Sequence, residues 1–181
     1  NSMQTMKKDM GGAAHMLGLA WLIMAEELPV HLELWLGLVD NAVAANSYRP
    51  GDVFVSRKGL SVEIGHTDAE GRLLLADMLS AATEDEVDLV IDYATLTGAQ
   101  RIALGTELPG VFCNNPKLMQ ALQLQADAEK DPLWPLPLHQ PYRQELSSDV
   151  ADLLSTGKSG YGGAITAALF LEQFLNDRPN W

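Results

Sequence analysis

Residues 61–82 read SVEIGHTDAEGRLLLADMLSAA: a strand-like run, a turn crowded with charge, then a helix apolar on most of its faces. A helix of that kind cannot lie on a surface, where one face must stay polar. It has to be buried, so the chain must provide further elements to pack around it. The rest of the sequence offers them in alternation. GGAAHMLGLAWLIMAEELP reads as a helix of about four turns stopped by Pro29. HLELWLGLV places Leu32, Leu34, Leu36 and Leu38 on one face, the pattern of a strand. GDVFVS and LSVEIG predict two strands joined through a turn containing Gly59.

Further along, VDLVIDYATLTGA opens as a β-rich run typical of a buried parallel strand. PKLMQALQLQADAEK predicts an amphipathic helix with Pro116 near its start. DPLWPLPLHQP reads as an ordered surface loop, and GYGGAITAALFLEQFL as an apolar helix approached through glycines. Helices alternating with strands predict an α/β fold, a three-layer sandwich whose central mixed, largely parallel sheet is flanked by helices. Ligands of such sheets bind at the carboxyl ends of the strands.

At 181 residues the length suits one domain, and no apolar run reaches the ~18 residues needed to cross a bilayer. The opening residues do not read as a signal peptide. A formal charge of −12 offers no basic stripe for phosphates, so no nucleic acid and no membrane are expected as partners. One cysteine, Cys113, excludes an intrachain disulfide, which fits a reducing compartment. In the apolar stretch GVFCNN it reads as packing rather than as a nucleophile. There is no G-x-S-x-G elbow and no phosphate-cradling glycine loop.

The charged turn has two readings. Asp68 and Glu70 are two apart, so in an extended connection they point the same way, with Arg72 following on that side. Two buried carboxylates repel unless a divalent cation joins them, and carboxylate oxygens suit Mg²⁺, Mn²⁺ or Zn²⁺. Arg72 cannot ligate a metal but could hold an anion at a helix start. The other reading is a capped helix, with Asp68 or Thr67 as N-cap and the remaining charges solvated. Asp9, just before Gly11-Gly12 in MKKDMGGAA, poses the same choice between ligand and cap. The glycine pair there lets a backbone approach something closely.

HTDAEGRLLLADML resembles the N-T-D-A-E-G-R-L signature of the leucyl (cytosol) aminopeptidases. MKKDMGGAA, YRPGD, DYATLTGAQRIALG, GVFCNN, LWPLPL and GGAITAALFL resemble that family's segments in the same order, over essentially the whole chain. The resemblance implies a metallopeptidase catalytic domain that removes N-terminal residues, of leucine type, from peptides in the cytoplasm, as a homo-hexamer. It implies two divalent ions, Mn²⁺ or Zn²⁺, that polarise the scissile carbonyl and activate a water. By motif position Asp68 and Glu70 match metal ligands, Asp9 a ligand of the second ion, and Arg72 the catalytic arginine that holds bicarbonate. Met6 and Thr95 match the pocket for the first side chain, and Leu96 and Gly98 match backbone positions that bond the substrate.

The family pattern also has a lysine, an aspartate and a catalytic lysine upstream of the first of these residues, and a core strand beyond the tryptophan matched by Trp181. Neither segment is within these 181 residues, and Lys7 and Lys8 sit too close to Asp9 to substitute. Residues 1–181 are therefore expected to be an internal part of the catalytic domain, without its upstream ligand segment, N-terminal domain or C-terminal end, and inactive alone. The alternative is a non-catalytic homologue with a structural or regulatory role. A carboxylate-metal phosphoesterase would need further His or Asp ligands. His66 replaces the signature's asparagine and is expected to form a hydrogen bond rather than to ligate. His15, His31 and His139 read as structural or surface residues. Asp40 and Val43 stand where the family has glutamate and proline, which leaves that loop's shape open.

Overall fold

The computed structural model describes residues 2–181. The chain divides into two compact units: the first runs as far as Asp40 and includes Ile91–Thr95, and the second comprises Asn41–Val90 and Leu96–Trp181.

In the first unit a 3-10 segment, Ser2–Lys8, leads into helix α1, Gly11–Ala25. The turn between them is closed by the Asp9 N–H donating to Met6 O at 2.8 Å. Gly12 is where this unit is tightest. A Cβ there would lie 2.2 Å from Tyr93 O and 2.8 Å from Ala94 Cα, so only glycine lets the helix meet that backbone. Apart from Gly12 and Ala20 no residue of α1 is fully buried, and Leu17, Trp21, Leu22 and Met24 are exposed.

The second unit holds strands β1 (Val53–Val55) and β2 (Ser61–Glu63), helices α2 (Glu70–Ala82) and α3 (Gly98–Leu104), and strand β3 (Gly110–Val111). Helix α4 (Pro116–Glu129), strands β4 (Trp134–Pro135) and β5 (Leu153–Leu154), and helix α5 (Gly163–Glu172) follow. One sheet has the order β1-β2-β5, with β1 antiparallel to β2 (Phe54 opposite Val62) and β2 parallel to β5 (Val62 opposite Leu153). A second sheet pairs β3 with β4 in parallel. The fold is α/β with mixed pairing, as predicted.

The core gathers on α5, where six consecutive residues from Thr166 to Leu171 are buried. Such a run has no outward face, as the apolar sequence of this helix predicts. Phe170 and Phe174, both fully buried, lie with ring centroids 5.1 Å apart. Ala76 and Leu79 of α2 and Val62 of β2 pack into the same cluster. No residue of α2 is exposed.

Three local expectations differ. Residues 31–39 form no ladder among the described residues, and Leu32, Leu34 and Leu36 are 37–39% exposed. Alternation orders the side chains, but a strand also needs a neighbour to bond, and none is paired here. The run 87–95 is likewise unpaired as a strand. Its Val90 N–H donates to Asn180 O in the second unit, whereas Ile91–Thr95 belong to the first. Conversely, the expected loop over residues 131–141 contains β4. Pro135 is tolerated in it because the ladder donors are its neighbours, Trp134 N–H to Pro109 O and Leu136 N–H to Val111 O, both 2.8 Å.

Candidate metal and anion site

The parallel strands β2 and β5 both end at the charged turn. Beyond β2 the chain passes through Ile64 and Gly65 into a 3-10 turn, Thr67–Ala69, which runs directly into α2. Beyond β5 lies Ser155, whose N–H donates to Glu63 O at 2.9 Å and whose Oγ accepts from the Gly65 N–H at 2.9 Å. A Cβ on Gly65 would stand 2.2 Å from Thr156 Oγ1, so the glycine permits the two strand ends to close on each other.

This geometry decides the capping question. His66 caps the 3-10 turn: its Nδ1 accepts from the Asp68 N–H at 3.0 Å. The predicted hydrogen-bonding role of His66 is therefore what the structure shows. The residue before α2 is Ala69, with no side-chain cap bond. Neither Asp68 nor Thr67 caps α2 through its side chain. Asp68 is exposed and Glu70 half-buried. Glu70 Oε2 accepts from Asn41 Nδ2 at 2.7 Å, and the same amide donates to Thr67 O at 3.1 Å. The Tyr48 hydroxyl also donates to Thr67 O, at 3.2 Å. Its pKa is raised above the ordinary 10.0, first by burial and then by the negative charges of Glu70 and Asp68.

Arg72, one turn into α2, is 9% exposed. Its Nη1 donates to Ser155 O at 2.8 Å, while its Nε is buried without a partner among the described residues. Burial pushes its pKa below the ordinary 12.5, and the Glu70 carboxylate acts in the opposite direction. The side chain lines a cavity of about 140 Å³ together with Thr156, Gly157, Gly160, Tyr161 and Thr166. A guanidinium with an unused buried donor at a cavity of that size suits an oxyanion of a few heavy atoms.

In the first unit, Asp9 does not cap α1 either. The N-cap is Met10, with no side-chain bond, and Asp9 Oδ1 instead accepts from Thr95 Oγ1 at 2.5 Å. Met6 is 38% exposed in the preceding 3-10 segment. In the second unit Leu96 packs on the core cluster, and Gly98 opens α3 behind Thr97, whose hydroxyl accepts from the Gln100 N–H. Among the described residues no group of three or more His, Cys, Asp or Glu stands ready to hold a metal ion.

The remaining candidates are accounted for without chemistry. His15 bonds Gly11 O through Nδ1 and stacks on Tyr93, His31 lies 3.5 Å from Glu33, and His139 meets Tyr142 edge-on. Cys113 is half-buried, its Sγ donating to Asn115 O. Sequence reasoning missed Asn41, Tyr48 and Ser155. The first two lie in DNAVAANSYRPGD, where their polar side chains precede the signature by some twenty residues; nothing local to Ser155 marks it.

The chain is similar to known proteins along its whole length. The catalytic domain described as that of the cytosol aminopeptidase family matches residues 1–181. A probable cytosol aminopeptidase of Chlamydia abortus is 49% identical over 180 residues, which cover 98% of this chain and 36% of the relative. A crystal structure of the cytosol aminopeptidase from Coxiella burnetii superposes with a TM-score of 0.92 at 55% identity, over 95% of this chain and 38% of that one. A mutant of tomato leucine aminopeptidase gives 0.85 at 42%, over 97% and 35%. The chain spans about 36% of the length of the curated relatives it matches. It belongs to the cytosol aminopeptidase family, within the catalytic domain.

Proposed function

We propose that this chain carries part of the active site of a metal-dependent aminopeptidase that removes N-terminal residues, with a leucine-type preference, from peptides. One observation supports this above the rest. Asp68 and Glu70 stand two residues apart where the 3-10 turn meets α2, neither makes a side-chain cap bond to that helix, and Glu70 Oε2 accepts from Asn41 Nδ2 at 2.7 Å. An all-oxygen pair of this kind suits Mn²⁺ or Zn²⁺, so the donor chemistry fits a divalent ion. Asp68 and Glu70 would hold it, with Asp9 contributing to a second. Divalent ions bound there supply Lewis acidity toward a peptide carbonyl and lower the pKa of water.

The other residues divide the remaining work. Arg72 would hold bicarbonate at the cavity it lines with Thr156, Gly157 and Thr166, keeping a proton acceptor there. Met6 and Thr95 would border the first side chain of the substrate, and backbone groups of Leu96 and Gly98 would bond its main chain. The setting we propose is the cytoplasm, in a homo-hexamer; among the described residues no helix is long and apolar enough to cross a membrane.

The test is turnover of leucyl-p-nitroanilide by the full natural chain containing this sequence. Activity should require added Mn²⁺ or Zn²⁺, and Glu70→Gln should lower kcat by about a hundredfold or more. Full activity in Glu70→Gln, or activity indifferent to chelator, contradicts the reading.

A further inference from the structure

Among the described residues the Glu70 carboxylate accepts one hydrogen bond, and its donor has a second bond to the same turn. Asn41 Nδ2 donates at 2.7 Å to Glu70 Oε2 and at 3.1 Å to Thr67 O. A carbonyl and an ionised carboxylate both lack a proton to give, so only the amide nitrogen of Asn41 can face them. The orientation of the amide therefore follows from its neighbours. Thr67 O belongs to the peptide that leads into Asp68, and the Tyr48 hydroxyl donates to it as well. One amide thus ties the backbone bearing Asp68 to the carboxylate of Glu70.

A carboxylate offers about four lone-pair positions. Asn41 occupies one on Oε2, which leaves Oε1 and the second position of Oε2 for a cation. The bond stops the carboxylate rotating without covering its ligating edge. We infer that Asn41 is a positioning residue for Glu70, fixing that side chain and the 67–70 turn in the arrangement that receives a divalent ion. This rests on the proposed role of Glu70 as a ligand. Partners of this kind commonly contribute 10–100-fold to metal affinity, by presetting ligands that would otherwise have to be ordered on binding.

The experiment compares metal-free full natural chain with its Asn41→Ala, Asn41→Leu and Glu70→Gln variants. Mn²⁺ affinity is read by titration calorimetry, and the melting temperature without metal by scanning calorimetry. Both Asn41 variants should bind Mn²⁺ about 10–100-fold more weakly, with the metal-free melting temperature unchanged because Asn41 is exposed. Glu70→Gln should weaken binding at least as much. If Glu70→Gln weakens Mn²⁺ binding while both Asn41 variants bind as the wild type does, Glu70 is oriented without help and the inference fails alone. If Glu70→Gln leaves binding unchanged, the ligand assignment fails and takes this inference with it. A lowered metal-free melting temperature with wild-type Mn²⁺ affinity assigns Asn41 to the fold only, and overturns it too.

Discussion

Arg72 gives up stability for the cavity it faces, and replacing it with methionine measures the sacrifice. The residue is 9% exposed, with one bond from Nη1 to Ser155 O and a buried Nε that has no partner among the described residues. An ion in that position carries an effective desolvation penalty of several kcal/mol, and the unmatched donor costs about 1–3 kcal/mol. Against this stand a charge-assisted bond worth ~1.5–3 kcal/mol and the carbonyl that Arg72→Met would leave bare. Methionine fills comparable length without charge. The balance favours the variant by ~1 kcal/mol, or about 2–4 °C for a domain of this size. In bicarbonate-free buffer Arg72→Met should therefore melt at or slightly above wild type by scanning calorimetry. Bicarbonate at about a hundred times its Kd should then stabilise wild type by ~2.7 kcal/mol and leave the variant unmoved. A variant melting several degrees lower, together with a wild type indifferent to bicarbonate, would show that Arg72 is structural and refute the argument.

Other consequences follow from the packing and charges. Phe170→Ala empties the centre of the core beside Phe174 and should cost about 3–5 kcal/mol, read as the midpoint shift in urea. Gly12→Ala should lower the melting temperature, since its Cβ meets the Tyr93 and Ala94 backbone, whereas Gly18→Ala in the same helix meets nothing within 4 Å and should gain ~0.5–1 kcal/mol. At low pH, Asp152 and Glu145 matter. Hydrogen bonds from the Ser61 hydroxyl and N–H hold Asp152 below its ordinary 3.8, and the Ser159 N–H holds Glu145 below 4.5. Unfolded chains then take up these protons first as pH falls, so the stabilisation is present above about 4.5 and lost below it. Melting curves should fall through that window, less steeply in Asp152→Asn; an identical slope in the variant counts against these bonds.

Much of this was legible in sequence, for reasons that differ by element. The largely apolar α5 is buried from Thr166 to Leu171, and Pro116 and Asn115 open α4 as helix-start chemistry requires, Asn115 Oδ1 accepting from the Lys117 and Leu118 N–H groups. These are local rules acting locally. The 31–39 run is no strand because side-chain alternation does not supply a bonding neighbour, and β4 is hidden because the prolines of 131–141 signal loop. At the site, the spacing of Asp68 and Glu70 announced a pair but left capping open. Only the His66 Nδ1 bond to Asp68 N–H closes that question. Asn41 and Ser155 were invisible because their partners are 29 and 83 residues away, at Glu70 and Arg72. Long-range polar contacts carry no periodic signal.

The central claim is that Asp68 and Glu70 exist to hold a divalent cation. Anomalous diffraction at the zinc edge, from crystals of the full natural chain grown with Zn²⁺, addresses it directly. The account predicts a peak with carboxylate oxygens of both residues at about 2.0–2.2 Å. A fully loaded crystal whose zinc peaks all lie away from these two side chains contradicts it.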